Sequence, residues 1–451
     1  MIKSSLYLRI LNIFSNNNIL TILNYILFIY FFSFILYSYE INAIDETNNA
    51  NYFFQNTLLE KFTHNNNSRI GNYLHFNITN LTNNNEDSIY GQIEVFGNNV
   101  YVVWQESVSK NLPAHNYDIF FIKSEDNGKT FGMPINLSNN TEFSERPQIA
   151  VSKNGIFIVW AETTNPNNKE IMFTKSLDNG KTFNNPINLS HDSKDSDNQE
   201  ISAFNENVYV IWQDTDKKNN DTNGIIMFKS STNTGHTFNN SIELINNTNS
   251  AFPKINSYGN HVYVVYNNEN KKNSGLFFLK SFDKGNNFYD IIKLSNDSNF
   301  GESQIAVNEN ELHVIWGGSL TKNIENIYYV KSNDNGKTFT DANTISDKVI
   351  SNNTIYYSEL NDIIENPTNV EVTNKNFSYI VWQNSFSEQN EDILLRVENH
   401  KDNSHFNIFN LSNNSGISEC PSIAISDNNI YVIWEDYTSG NHEIFLANIS
   451  I

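Results

Sequence analysis

From residue 73 onward short apolar runs alternate with short polar ones, and one run recurs: β-branched and aromatic residues ending in Trp or Tyr. Residues 100–104, 156–160, 208–212, 262–266, 312–316, 378–382 and 430–434 are its seven copies. Their final aromatics lie 56, 52, 54, 50, 66 and 52 residues apart, near the roughly 40 to 50 residues of a four-stranded propeller blade. The 66-residue interval carries an insertion. Runs this short, bounded by Asn, Asp, Ser and Gly, read as strands. Each unit holds four. One follows a segment such as Glu145-Arg146-Pro147 (148–152), the second ends in Trp, and the others resemble 118–123 and 135–138. A four-stranded antiparallel sheet has two edges and two faces to cover, so radial repetition is the expected burial arrangement. The expected fold is all-β, a seven-bladed β-propeller over residues 73–451, with the large aromatics filling the layers between blades.

The seventh unit reaches Ile451 after its third strand, 443–448, which leaves an edge unpaired. Phe76-Asn77-Ile78-Thr79-Asn80-Leu81-Thr82-Asn83-Asn84 matches the fourth-strand segment Phe406-Asn407-Ile408-Phe409-Asn410-Leu411-Ser412-Asn413-Asn414 at seven of nine places. The N-terminal segment is therefore expected to complete blade seven and tie the chain ends together.

The first 43 residues follow another pattern. Lys3 and Arg9 precede an apolar run over 19–37, which reads as a signal peptide or membrane anchor helix. The run is near the roughly 20 residues that span a bilayer, and the Ile41-Asn42-Ala43 segment only loosely resembles a cleavage site, so both fates stay open. Positive residues before the run place the remainder outside the cytoplasm. Residues 44–72, rich in Asn, read as a linker. The formal charge of −21, from 29 Lys and Arg against 50 Asp and Glu, disfavours nucleic acid as a partner. A single cysteine, Cys420, excludes an internal disulfide framework, and no CxxC or HExxH spacing suggests a metal.

Between the third and fourth strands a turn sequence repeats: Ser124-Glu125-Asp126-Asn127-Gly128-Lys129-Thr130-Phe131, Ser176-Leu177-Asp178-Asn179-Gly180-Lys181-Thr182-Phe183 and Ser332-Asn333-Asp334-Asn335-Gly336-Lys337-Thr338-Phe339. Two looser copies carry Ser231, Asn233, Gly235 and Phe238, and Ser281, Asp283, Gly285 and Phe288. Such a sequence suits a tight hairpin, in which Ser and Asp bond turn amides, Gly takes positive φ and Phe packs beneath. These segments resemble the Asp boxes of the sialidase superfamily. The resemblance implies a β-propeller, six-bladed in sialidases, with the boxes stabilising turns remote from catalysis. It also implies three arginines clamping a substrate carboxylate, an Asp acid/base, and a Tyr nucleophile assisted by Glu. Beyond the apolar run only Arg69, Arg146 and Arg396 occur, before the first propeller strand, before strand one of unit two and in strand three of unit six, so the catalytic set is not carried over.

Antiparallel succession puts the ends of second strands and the loops before first strands on one face, opposite the boxes. That face is acidic: Glu106, Glu162, Asp214, Glu435 and Asp436 follow the strand-two aromatics, and Glu145, Arg146, Glu200, Glu302 and Glu419 lie before or within first strands. Crowded carboxylates there suit a Ca²⁺ or cationic-ligand site, a carboxylate pair for glycosidic cleavage, or simple solubility. The cluster Asp192, Asp195 and Asp197 lacks the Gly and Glu of a calcium loop. His313 and His236 have no Ser or Cys partner in sequence and read as structural. About fifteen Asn-x-Ser/Thr sequons occur, among them Asn136, Asn188, Asn296, Asn410 and Asn413. They permit glycosylation outside the membrane and equally reflect an Asn-rich repeat. The preferred reading is a non-catalytic recognition module, secreted or anchored by its N-terminal segment, monomeric, and binding a glycan or cell-surface protein. The alternatives are a sialidase-like exo-glycoside hydrolase and an architectural cell-envelope protein.

Overall fold

The computed structural model describes residues 76–450 except segments 109–115, 166–167, 192–193, 216–223, 246–249, 269, 271–272, 296–299, 322–323, 345–349, 352–353, 356–368, 373–376, 388–389, 400–405 and 427–428. The apolar N-terminal run and the linker, with the readings attached to them, lie outside the described residues.

The described strands form seven four-stranded antiparallel sheets. In blade 1 these are Ser88–Phe96, Asn99–Ser107, Tyr117–Ser124 and Ile135–Asn136, counted from the innermost outward. The innermost strands of blades 2 to 7 are Phe143–Ser152, Asp195–Phe204, Ser250–Tyr258, Phe300–Asn308, Asn369–Val372 and Ser418–Ile425. Each touches the innermost strands of both neighbours, and blade 7 touches blade 1, so the ring closes as a seven-bladed β-propeller. The six-bladed alternative is excluded. A small hairpin, Ile350–Ser351 with Thr354–Ile355, accounts for part of the long interval between blades 5 and 6. Blade 7 takes its outermost strand from Phe76–Asn80, which pairs antiparallel with Glu443–Ser450 in the register Phe76↔Ile449 to Asn80↔Phe445.

The core is not one mass but seven clusters, one in each gap between blades. Strand alternation sends one face of a blade to each neighbour. Tyr101, Val103 and Phe121 of blade 1 meet Ile149, Ile156 and Trp160 of blade 2, while Val102 and Trp104 meet Tyr431 and Ile433 of blade 7. Tryptophans 104, 160, 212, 316 and 434 are essentially inaccessible. Both faces are covered, so second strands read as continuous apolar runs rather than alternating ones.

In blades 1 and 2 the fourth strands are shorter than the sequence suggests: Ile135–Asn136 and Ile187–Asn188 span two residues. The ladder gives way because side chains take over its bonds. Ser138 Oγ accepts from Ile119 N at 3.0 Å and donates to Asp118 Oδ1 at 3.0 Å, and Ser190 Oγ accepts from Ile171 N at 3.0 Å. Each second strand ends, and each first strand begins, on what we call the upper face. The Ser-x-Asp turns occupy the lower face.

In the first of those turns Ser124 Oγ accepts from Gly128 N (2.9 Å) and donates to Asp126 Oδ1 (2.7 Å). Asp126 accepts from Lys129 N, Thr130 N and Thr130 Oγ1 at 3.0, 2.9 and 2.6 Å. Asp178 and Asp334 repeat the pattern, Asp283 holds Asn287 in place of Thr, and Asn233 Oδ1 accepts from Thr237 N at 3.0 Å. The glycine serves a second purpose. At Gly180 φ is +71°, and a Cβ there would stand 2.8 Å from the Phe121 ring of the preceding blade. Phe183 meets the same ring edge-on, centroids 4.8 Å apart, and Lys123 Nζ donates to Asn179 O at 2.8 Å. Each turn is thus also a joint between blades.

Candidate functional site

Four of the acidic residues on the upper face bind neighbouring protein groups. Glu106 Oε2 accepts from the indole of Trp104 (3.0 Å), from Ser88 Oγ (3.2 Å) and from Asn84 Nδ2 (3.0 Å). Glu162 does the same with Trp160, Ser144 and Asn140 at 3.2, 3.3 and 2.8 Å. Asp436 holds Trp434, Ser418 and Asn414, and Asp214 holds Trp212 and Ser196. In these four blades one carboxylate gathers the second-strand tryptophan and the start of the innermost strand. A charge-assisted bond to a buried indole is strong, which explains why an acid recurs two residues after Trp.

Opposite each of these tryptophans the innermost strand bulges, with two residues facing one. The bulge residues Tyr90, Arg146, Asn198, Phe252 and Cys420 all have φ between 50° and 54°. This conformation is uncommon for side-chain-bearing residues and collects at functional sites. Here it brings successive blades together at the inner rim. Arg146 lies over the Tyr90 ring, its Cζ 5.5 Å from the centroid, and donates to Asn198 Oδ1 at 3.3 Å. The bulge amide is latched by the preceding blade. Gln105 Oε1 accepts from Arg146 N at 2.7 Å, and Gln383 Oε1 from Cys420 N at 3.4 Å.

At the seam between blades 7 and 1 that latch is an acid. Glu435 Oε1 accepts from Tyr90 N at 2.6 Å, with the side chain only 4% exposed. Burial, reinforced by the charge of Glu419, pushes its carboxyl up to about 8. His442 lies beside it, with Nε2 3.4 Å from Glu419 Oε1 and Nδ1 3.4 Å from Asp87 Oδ1. Bonding to Glu419 raises its pKa, with Glu435 and Asp87 adding to the effect. One donor atom each from Glu419, Glu435 and His442 fall within 4.8 Å of one another. Tyr437, 45% exposed, lies against His442 with ring centroids 4.8 Å apart and planes tilted by 44°, and Tyr90, 36% exposed, borders the cluster through its amide bond to Glu435.

The other candidates lie apart from this seam. Glu145 and Asp197 share Lys169, whose Nζ is 2.8 Å from Asp197 Oδ2, and Lys169 N donates to Asp195 Oδ1 at 3.1 Å. Glu200 pairs with Lys254 at 2.5 Å. The side chain of Glu302 and all of Asp192 lie outside the described residues. Arg396 is buried in the third strand of blade 6, whereas Arg146 is on an innermost strand, and Arg69 lies outside the described residues. The sequence reading singled out Glu419 and Glu435 but missed His442 and Asp87. Aligning third strands would have found the histidine, since His442-Glu443 stands where Lys169-Glu170 stands in blade 2.

No family model matches this chain, and no curated protein does. Among solved structures it is similar to a protein of unknown function from Dyadobacter fermentans, at 13% identity and a TM-score of 0.50, covering 83% of this chain and 99% of that one. It is also similar to the sialidase of Trypanosoma rangeli, at 11% identity and 0.47, covering 80% of this chain and 55% of that one. A Streptococcus pneumoniae sialidase gives 11% and 0.45, with coverages of 87% and 72%. The likeness is one of fold. The fold is a β-propeller, and it leaves the chemistry to be argued from the site.

Proposed function

We propose that this propeller is a recognition module that binds a glycan on its upper face, at the seam of blades 7 and 1. The observation that carries the reading is a pair of exposed tyrosines, Tyr90 and Tyr437, flanking Glu419, Glu435 and His442. Aromatic faces offer stacking surfaces for the apolar side of a sugar ring, while the part-exposed Glu419 carboxylate and His442 imidazole exchange hydrogen bonds with its hydroxyls. Arg146 beside Tyr90 adds a donor for a carboxylate-bearing sugar. The repeated Ser-x-Asp turns support a place among Asp-box propellers, and the apolar N-terminal run supports display outside the cell.

A retaining glycoside hydrolase is the second reading, favoured by one observation. Glu435 has the raised pKa of a general acid, and Glu419 lies near the roughly 5 to 5.5 Å spacing of a retaining pair. Against it, a general acid must approach the leaving oxygen to about 2.6–3.2 Å, and Glu435 is buried under the Tyr90 backbone. A glycan array and a panel of chromogenic glycosides separate the two. Saturable binding that Tyr90→Ala and Tyr437→Ala each weaken at least tenfold, without turnover, supports recognition. Turnover abolished by Glu435→Gln makes the protein a hydrolase, and silence in both assays removes the glycan reading.

A further inference from the structure

The seam cluster has a counterpart two blades on, and the difference between them is one of charge. Between blades 2 and 3 a cation from the third strand, Lys169, sits between the inner-strand acids Glu145 and Asp197, and Arg146 adds a second positive charge. With Asp195, which accepts from Lys169 N, three acids there meet two permanent cations. Between blades 7 and 1 the equivalent residue, just before the third strand Glu443–Ser450, is His442, placed between Glu419 and Asp87. A third acid, Glu435, occupies the latch position that holds Ala161 in blade 2 and a glutamine in blades 1 and 6. Three carboxyl groups there face one imidazole, and among the described residues neither Glu419 nor Glu435 is ion-paired with Lys or Arg. The latch itself needs no charge, because Gln105 and Gln383 make the same bond to a bulge amide. What Glu435 adds is a further carboxyl donor placed deep in the protein, within 4.8 Å of donor atoms on Glu419 and His442, where it can be ionised only beside a cation.

We propose that Glu419, Glu435 and His442 form a site for a divalent transition-metal cation such as Zn²⁺, at the seam between blades 7 and 1. The donor set is two carboxylates and one imidazole, which suits first-row transition metals and disfavours Ca²⁺, a cation that takes oxygen ligands alone. Zinc bonds of about 2.0–2.2 Å place tetrahedral donors roughly 3.4 Å apart. His442 Nε2 and Glu419 Oε1 already stand at 3.4 Å, and all three donors lie within 4.8 Å, so small side-chain rotations close the shell. The orienting partner is also in place. With Nε2 turned to the metal, Nδ1–H faces Asp87 Oδ1 at 3.4 Å, the carboxylate–histidine–metal arrangement that fixes the ring. Three protein donors leave a fourth position open to water or a ligand hydroxyl on the upper face.

Metal binding at this seam is a property apart from glycan recognition and is measured without any sugar. The full chain, stripped with chelator, is titrated with Zn²⁺, Mn²⁺ and Ca²⁺ by calorimetry, and its melting temperature is recorded with and without each ion. The expected result is one equivalent of Zn²⁺ bound, with a raised melting temperature. Glu435→Gln and His442→Gln should each weaken Zn²⁺ at least tenfold. The first should still fold, because glutamine already fills that latch in two other blades. His236→Gln, an exposed lower-face substitution, should leave binding intact. Absence of saturable Zn²⁺ binding by the wild type, equal binding in both variants, or a preference for Ca²⁺ would overturn the proposal.

Discussion

Two residues after a buried tryptophan, Glu106, Glu162 and Asp436 each hold three donors at once, so their removal costs more than their own bonds. In Glu162→Ala the Trp160 indole, the Ser144 hydroxyl and the Asn140 amide lose their acceptor in a site where Trp160 and Ser144 are inaccessible to water. An unsatisfied buried donor costs about 1–3 kcal/mol, so the variant should lose roughly 2–4 kcal/mol in urea unfolding. Glu162→Gln keeps one oxygen and should lose clearly less. Gly180→Ala adds strain at φ +71° to a Cβ contact of 2.8 Å with Phe121, whose ring is packed by Phe183 and cannot retreat. About 2–4 kcal/mol is again expected, from the combined left-handed and overpacking terms. Single residues explain why the acidic upper face was only half legible in sequence. Glu106, Glu162, Asp214 and Asp436 look like solvated loop charges when only their neighbours in sequence are considered. Their acceptor role appears once the Ser 18 residues earlier folds against the Trp. His442 was missed for a related reason, since its partner Asp87 lies 355 residues away.

At the scale of the element, the Ser-x-Asp turn is a hairpin whose aspartate, at Asp126, Asp178 and Asp334, accepts four bonds at once and does so as a carboxylate. The Thr hydroxyl leads in holding Asp126 and Asp178 well below the usual carboxylate range, with turn amides assisting; at Asp334 the Thr338 amide leads. A depressed folded pKa contributes stability above the unfolded value near 4, and that contribution is lost as pH falls below it. The melting temperature of the wild type should therefore drop more steeply between pH 4 and 2 than that of an Asp126→Asn, Asp178→Asn, Asp334→Asn triple variant. The variant should fold, because blade 3 already uses Asn233 in this place. Equal slopes in differential scanning calorimetry would show that these carboxylates do not couple to folding. Turn chemistry of this kind was legible because all its donors and acceptors lie within eight consecutive residues. The latches were not, because Gln105 and Arg146 are 41 residues apart and Glu435 and Tyr90 are 345 apart.

Over the whole molecule the repeat count and the closing strand were both legible, since periodicity and the nine-residue match are properties of the chain alone. What closure does for stability follows from where the core lies. Seven interfacial clusters form one circuit, and the gap between blades 7 and 1 contains Leu81, just after the closing strand, packed with residues of both blades. Phe76 packs into the neighbouring gap between blades 6 and 7. The closing segment also delivers Thr82, whose hydroxyl bonds Glu443 and accepts from Ile444 N at 3.1 Å, and Asn84, which binds Glu443 and the Glu106 carboxylate. Deleting residues 76–84 thus exposes the edge of Glu443–Ser450, opens two of the seven gaps and unties the Glu106 clamp. A propeller without its closing strand should unfold at lower urea with a smaller m-value, because less surface is buried in the native state, and should self-associate through the bare edge. A synthetic peptide of residues 76–84 supplied in trans should bind that edge by strand addition and restore the midpoint in a concentration-dependent way. If the deleted chain instead keeps the wild-type midpoint and remains monomeric, ring stability resides in the blade interfaces alone, and the tie between the chain ends is incidental to it.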